Sequence, residues 1–159
     1  MEEDDDEAEG GDVTAARDDA DAPVLLYDGV CGVCNAAVRT ILRVDRRGTL
    51  RFAALDSDIA RGVIARHPEL RDVDSAVFVR HVGSPRETAD AHSEALLRVA
   101  DYLGGPWRAA ALARIVPRAV RDWAYTRFAG IRYRIGGRYD TCPVPTPDVR
   151  SRFLDATYG

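Results

Sequence analysis

The chain contains no lysine: all 22 of its basic residues are arginine, set against 26 acidic ones. Cysteine is also sparse, and three cysteines at uneven spacing exclude the disulfide framework of a small secreted domain. No stretch approaches the roughly 18 to 20 uncharged apolar residues that span a bilayer. The best candidate, near Ala109–Val116, is broken by Arg114. The first residues have neither the basic start nor the apolar run of a secretory signal, so a cytoplasmic location is expected. In a reducing compartment a close cysteine pair suggests redox or metal chemistry.

What is present is unevenly distributed. The formal charge of −4 averages a −10 segment, residues 1–22, with a +6 remainder of 137 residues. Eleven carboxylates, Gly10, Gly11 and many alanines cannot bury enough apolar surface to offset their ordering entropy, so 1–22 reads as a disordered acidic tail. Residues 23–159 read as a single domain. Their first part, 23–105, balances eleven acids against eleven arginines, and the positive excess falls in 106–159, with ten arginines and four aspartates.

Periodicity predicts the elements of the body. Val24-Leu25-Leu26-Tyr27 is a short buried strand, closed by a turn at Asp28-Gly29. Cys34, Val38, Ile41 and Leu42 share one face of an amphipathic helix that ends near Gly48. A second strand over Leu50–Leu55 leads to a helix over Ile59–Ala65 that stops before Pro68. Ala76-Val77-Phe78-Val79 is a strongly apolar central strand, and Thr88–Ala91 a weak fourth. Ser93 is placed to cap a helix that ends at Gly104-Gly105. Pro106 and Pro117 suit the first turns of two further helices, the second with Val120, Trp123, Ala124 and Phe128 on one face. Alternation of this kind gives an α/β layer fold with a parallel component and a helical extension over about 106–159, and places a site at the carboxyl ends of strands.

Asp28, Cys31 and Cys34 lie at the first such end. Cys31-Gly32-Val33-Cys34 falls between a strand and the start of a helix, where unpaired N–H groups and the helix dipole favour a thiolate. Cys31 would attack a disulfide, and Cys34, one turn inward, would resolve the mixed disulfide. Gly29 and Gly32 are expected to keep the backbone open near the sulfurs. The pair is also half of a zinc site that Cys142 and one of His67, His81 or His92 could complete, although no second close-spaced ligand pair exists. Asn35 follows Cys34 where haem attachment requires histidine, which closes that option.

The run Leu26-Tyr27-Asp28-Gly29-Val30-Cys31-Gly32-Val33-Cys34-Asn35 resembles the signature of the DCC family of thiol-disulfide oxidoreductases. Ser75–Val79, Ser93-Glu94-Ala95-Leu96, Gly104–Trp107, Pro117–Tyr125 and Arg132-Tyr133-Arg134 through Cys142-Pro143-Val144-Pro145 are similar to that family's later blocks, so the likeness covers roughly residues 24–155. It implies a thioredoxin-like fold, a central mixed sheet flanked by helices, and protein-disulfide reductase or general dithiol–disulfide exchange activity, carried over onto Asp28, Cys31 and Cys34. Tyr27, Gly29, Gly32 and Asn35 support the motif. No cofactor beyond the cysteine pair is expected, and the partners implied are a protein or small-molecule disulfide and a reductant. Thioredoxin-like folds usually carry a cis-proline before the third strand. Here the chain reads Val73-Asp74-Ser75-Ala76, with Ser75 the candidate for that position.

Asp28 has two candidate roles: capping the helix or forming the turn, or taking a proton from Cys34. Cys142 is either a third thiol or a small buried hydrophobe, and the second reading is preferred for an isolated cysteine. In the arginine-rich end, Trp107, Trp123, Tyr125, Tyr133 and Tyr139 alternate with arginines. Such a surface suits nucleic acid or phospholipid headgroups. The absence of a recognisable binding motif argues against nucleic acid, peripheral membrane contact stays open, and aromatics at helical spacing are expected to face the core. The competing reading of the whole chain is a metal-binding or anion-binding module without redox catalysis.

Overall fold

The structure, a computed structural model, describes residues 21–139 and 146–155. Cys142 and residues 1–20 of the acidic segment lie outside them. At the end of that segment Ala22 is already buried, and Asp21 hydrogen-bonds His81 Nδ1 at 2.5 Å.

A four-stranded mixed sheet runs in the order β2-β1-β3-β4, with β1 Val24–Tyr27, β2 Arg51–Ala54, β3 Val77–Arg80 and β4 Thr88–Ala91. β1 pairs parallel to β2, with Leu25 opposite Phe52, and antiparallel to β3, with Leu25 opposite Phe78. β1 is buried at all four positions because it has a strand on each side and helices on both faces, which explains its unbroken apolar run. β4, which pairs only with β3 among the described residues, is a short and partly exposed edge.

Alternate residues of each strand feed two cores. Val24, Leu26, Val77 and Val79 pack with Ala60 and Val63 of α2, Asp58–Arg66. Leu25, Tyr27, Phe52 and Phe78 pack with Val38 of α1, Gly32–Val44, and Ala95, Val99 and Tyr102 of α3, His92–Leu103. Phe52 and Leu26 have no exposed surface, and burying each such side chain contributes about 1.5–3 kcal/mol relative to leaving it in water. The result is the thioredoxin-like α/β architecture expected, with helices on both faces of the sheet.

Local chemistry sets most boundaries. Ser57 caps α2 by accepting the Ala60 N–H at 3.2 Å, and Pro68 lies just beyond that helix. α1 ends at Val44, sooner than Gly48, where Asp45 turns the chain by accepting the Arg47 and Gly48 N–H groups. Ser93 does not cap α3. It lies inside the helix, and Asp122 of the following helix accepts both its N–H and its hydroxyl, so the cap comes from a distant carboxylate. Pro106 opens a 3-10 segment, Gly105–Ile115, rather than an α-helix.

α4, Arg118–Gly136, is oriented contrary to expectation. Its polar side chains face the body: Asp122 meets Ser93, Arg121 meets Glu94, the Tyr125 hydroxyl accepts the Ala76 N–H at 3.4 Å, and Arg132 meets Asp28. Val120 and Trp123 therefore point outward, and Phe128 is only partly covered. The expectation that the aromatics of this helix face the core is corrected for Trp123 and Phe128 by the polar contacts that hold the opposite side of the helix inward.

Candidate active site

The carboxyl end of β1 runs straight into the helix that carries both cysteines. Asp28 makes the turn, its Oδ1 accepting the Val30 N–H at 3.1 Å and its carbonyl accepting the Cys31 N–H at 3.2 Å. Cys31 is the N-cap of α1, and its Sγ accepts the Cys34 N–H at 3.3 Å. The cap is thus the sulfur itself, so the capping role considered for Asp28 falls to Cys31 while its turn role stands. Asn35 is buried and donates its side-chain N–H groups to the carbonyls of Gly29, at 2.7 Å, and Cys31, at 3.0 Å, locking the loop to the first helical turn.

Gly32 does not leave the backbone open. A Cβ there would fall 1.8 Å from the Gly136 carbonyl oxygen, so glycine is required for the end of α4 to rest directly on the start of α1. Gly32 N–H donates to the Gly137 carbonyl at 3.1 Å, Arg138 bridges to Cys31, and Tyr139 N–H donates to the Val30 carbonyl at 2.7 Å. Residues 136–139 form a strap across the cysteine loop. Beneath it Cys31 has no exposed surface, whereas Cys34 is half-buried, and both are free thiols.

The two sulfurs differ in burial and in hydrogen-bond role. Burial, together with the hydrogen bond and charge of Cys31, pushes the Cys34 thiol up to about 12, with Arg132 acting in the opposite direction and Asp28 adding to the rise. Cys31 Sγ instead accepts the Cys34 N–H as the N-cap of α1.

Arg132 and Tyr133 complete the surroundings. Arg132 is buried, and its Nη2 donates to Asp28 Oδ2 at 3.1 Å, to the Asp74 carbonyl at 2.7 Å and to the Tyr133 hydroxyl at 3.1 Å. The Tyr133 hydroxyl donates to the same Asp28 oxygen, and Arg132 lies 4.9 Å above the Tyr133 ring centre. Neither residue was singled out from the sequence as part of the site. The only signal was their membership in a family-like block, and nothing local connects positions 104 apart.

Ser75 lies just before β3, fully buried, with its hydroxyl making no hydrogen bond among the described residues and the preceding Asp74 carbonyl taken by Arg132. No cis peptide occurs among the described residues.

Tyr27 belongs to the core beneath α1 and meets Phe153 edge-on, with ring centres 6.5 Å apart. An apolar cavity of about 350 Å³ opens beside Cys34, with Tyr27, Ala76, Leu96, Trp107 and Phe128 also in its wall. Among the described residues no cluster of three or more His, Cys, Asp or Glu is arranged to hold a metal. His67 bonds Glu69 and Glu87, His81 bonds Asp21, and His92 packs against Tyr125. No described helix is long and apolar enough to cross a membrane.

Two relatives resemble the chain over most of its length. It is 36% identical over 132 residues to the uncharacterized protein YuxK of Bacillus subtilis (strain 168), which covers 82% of this chain and 93% of that protein. It is 33% identical over 122 residues to the DCC family protein At1g52590, chloroplastic, of Arabidopsis thaliana, covering 76% of this chain and 68% of the other. No solved structure gives a significant match. The model of the DCC1-like thiol-disulfide oxidoreductases matches residues 25–138. That span takes in Asp28, both cysteines and the Arg132–Tyr133 pair bonded to Asp28, and on it the chain belongs to the DCC1-like thiol-disulfide oxidoreductase family.

Proposed function

We propose that the protein reduces disulfides by cycling Cys31 and Cys34 between dithiol and disulfide, with Cys31 as the nucleophile and Cys34 as the resolving thiol. The observation that carries this reading is the inequality of the two sulfurs: one caps a helix and receives its N–H, and the other is held protonated. The Cys31 thiolate attacks one sulfur of the substrate disulfide. A Cys31–substrate bond forms as the substrate's own S–S bond breaks, and the second substrate sulfur leaves as a thiolate. Cys34 then attacks the Cys31 sulfur, closing the Cys31–Cys34 disulfide and releasing the first substrate sulfur, while the Cys34 proton passes to the departing thiolate. Two electrons have moved from the pair to the substrate, and an external dithiol must return them.

Arg132 supports resolution by favouring the Cys34 thiolate as it forms, and Asp28 acts as a positioning residue that holds Arg132 at the pair. The Asp28→Asn variant tests this against direct proton transfer. A positioning role predicts a shifted pH profile for resolution together with lower stability, whereas a flat loss of resolution at every pH marks Asp28 as the proton acceptor.

The function itself is tested by titration against glutathione redox buffers, followed by alkylation and mass mapping. One reversible intramolecular disulfide between Cys31 and Cys34 is expected, with Cys34→Ser trapping a mixed disulfide and Cys31→Ser trapping none. Thiols that resist oxidation, or stoichiometric tightly bound zinc, would overturn the assignment in favour of a metal-binding module.

A further inference from the structure

The outer face of α4 is apolar where a surface helix is ordinarily polar. Val120, Trp123, Ile131 and Ile135 recur at helical spacing on the side turned away from the body, and each is between 45% and 66% exposed. Arg127 and Arg134 fall on the same side and make no hydrogen bond or ion pair among the described residues. The 3-10 segment leading into α4 also carries exposed apolar side chains, Leu112 and Ile115, both more than two-thirds exposed. An exposed apolar surface of this extent marks an interaction site.

Charge narrows the occupant. From Gly105 to Gly136 there are seven arginines and one carboxylate, Asp122, which is already engaged by Ser93 and Arg118 on the inner side. The outer face therefore presents apolar side chains and guanidinium groups with no acid among them. A second copy meeting this face about a two-fold axis would bring Arg127 and Arg134 against their own counterparts with nothing to neutralise them. An anionic bilayer supplies what the face lacks: phosphates for the two arginines, an acyl boundary for the apolar residues, and the interfacial depth that tryptophan prefers.

We propose that the outer face of α4, through Trp123, Ile131 and Ile135 flanked by Arg127 and Arg134, docks the protein peripherally on an anionic phospholipid surface. Phe128, at the edge of this face, also lines the cavity beside Cys34, so the docked surface borders the opening next to the redox pair.

The test is co-sedimentation of the full chain with phosphatidylcholine vesicles, alone or containing about one-third phosphatidylglycerol, together with tryptophan emission. Binding and a blue shift are expected only with the anionic vesicles and should weaken as salt is raised. Arg127→Gln with Arg134→Gln should lower the partition coefficient roughly thirtyfold. Trp123→Ala should weaken binding and abolish most of the blue shift, and neither change should alter thiol exchange with a soluble disulfide. Equal binding to both vesicle types, or none to either, would overturn the proposal. So would a concentration-dependent dimer dispersed by Trp123→Ala, which would assign the face to a second copy. Binding seen only after removal of residues 1–20 would assign it to the acidic segment and equally overturn the proposal.

Discussion

Replacing Gly32 by alanine should loosen the strap and expose Cys31. The added methyl would lie 1.8 Å from the Gly136 carbonyl oxygen and 2.7 Å from its carbon, and both are backbone atoms, so no side-chain rotation relieves the clash. Residues 136–139 must move away, at the expense of the Gly32–Gly137 and Tyr139–Val30 hydrogen bonds. At about 0.5–1.5 kcal/mol each, the two bonds together bias the strap shut by about 1–3 kcal/mol. Their loss raises the open population roughly 5- to 150-fold, at about 1.4 kcal/mol per factor of ten. The helix-propensity gain of alanine over glycine, at most about 1 kcal/mol, acts on α1 and does not hold the strap. The assay is the iodoacetamide alkylation rate of Cys31 in a chain carrying Cys34→Ser and Cys142→Ser, with a urea titration to confirm that the body remains folded. Gly130→Ala is the control, because a methyl there meets nothing within 4 Å. It should leave the alkylation rate unchanged and add about 0.5–1 kcal/mol of stability. An unchanged rate and midpoint in Gly32→Ala would refute the claim that the strap covers the nucleophile.

Arg132→Met should lower stability by about 3 kcal/mol, because it leaves the Asp28 carboxylate buried without its cation. Adding Asp28→Asn should recover part of that loss in urea unfolding, and a single-variant cost below about 1 kcal/mol would show that the pair is not a structural tie. Burial pushes the Cys34 thiol from its ordinary value of 9.0 up to about 12 in the folded chain. Its contribution to stability is therefore complete below pH 9.0 and is lost as the pH rises toward 12, since the unfolded state releases the proton first. Urea midpoints measured from pH 7 to 11 should fall more steeply for the native chain than for Cys34→Ser, and parallel curves would contradict the raised value.

The sheet and its first three helices were legible because their signals are local. β1 and β3 are short apolar runs with turn residues behind them, and α1 and α2 carry apolar positions at helical spacing beside Ser57 and Pro68. Cys31 and Cys34 could be placed from strand–turn–helix context alone, and Asn35 from the family-like run that continues past them. The rest depended on which side of a helix faces inward, and that was settled by distant polar partners. α4 was assigned by its apolar spacing, yet Ser93, Glu94 and Asp28 attract its polar side instead. Gly32 looked like freedom for the loop and proved to be the seat of another segment's backbone, a contact that leaves no periodic trace.

The separation of Asp28 from Arg132, 104 residues, also bears on synthesis. The cysteine loop leaves the ribosome long before the strap and the arginine that close over it. At about 5–20 residues per second, the nascent chain carries both thiols uncovered for roughly 5 to 20 s. Because the closing contacts are non-local, they also form late when the finished chain folds. The protein is thus open to adventitious oxidation during its own synthesis, and α4 is the element whose arrival ends that interval.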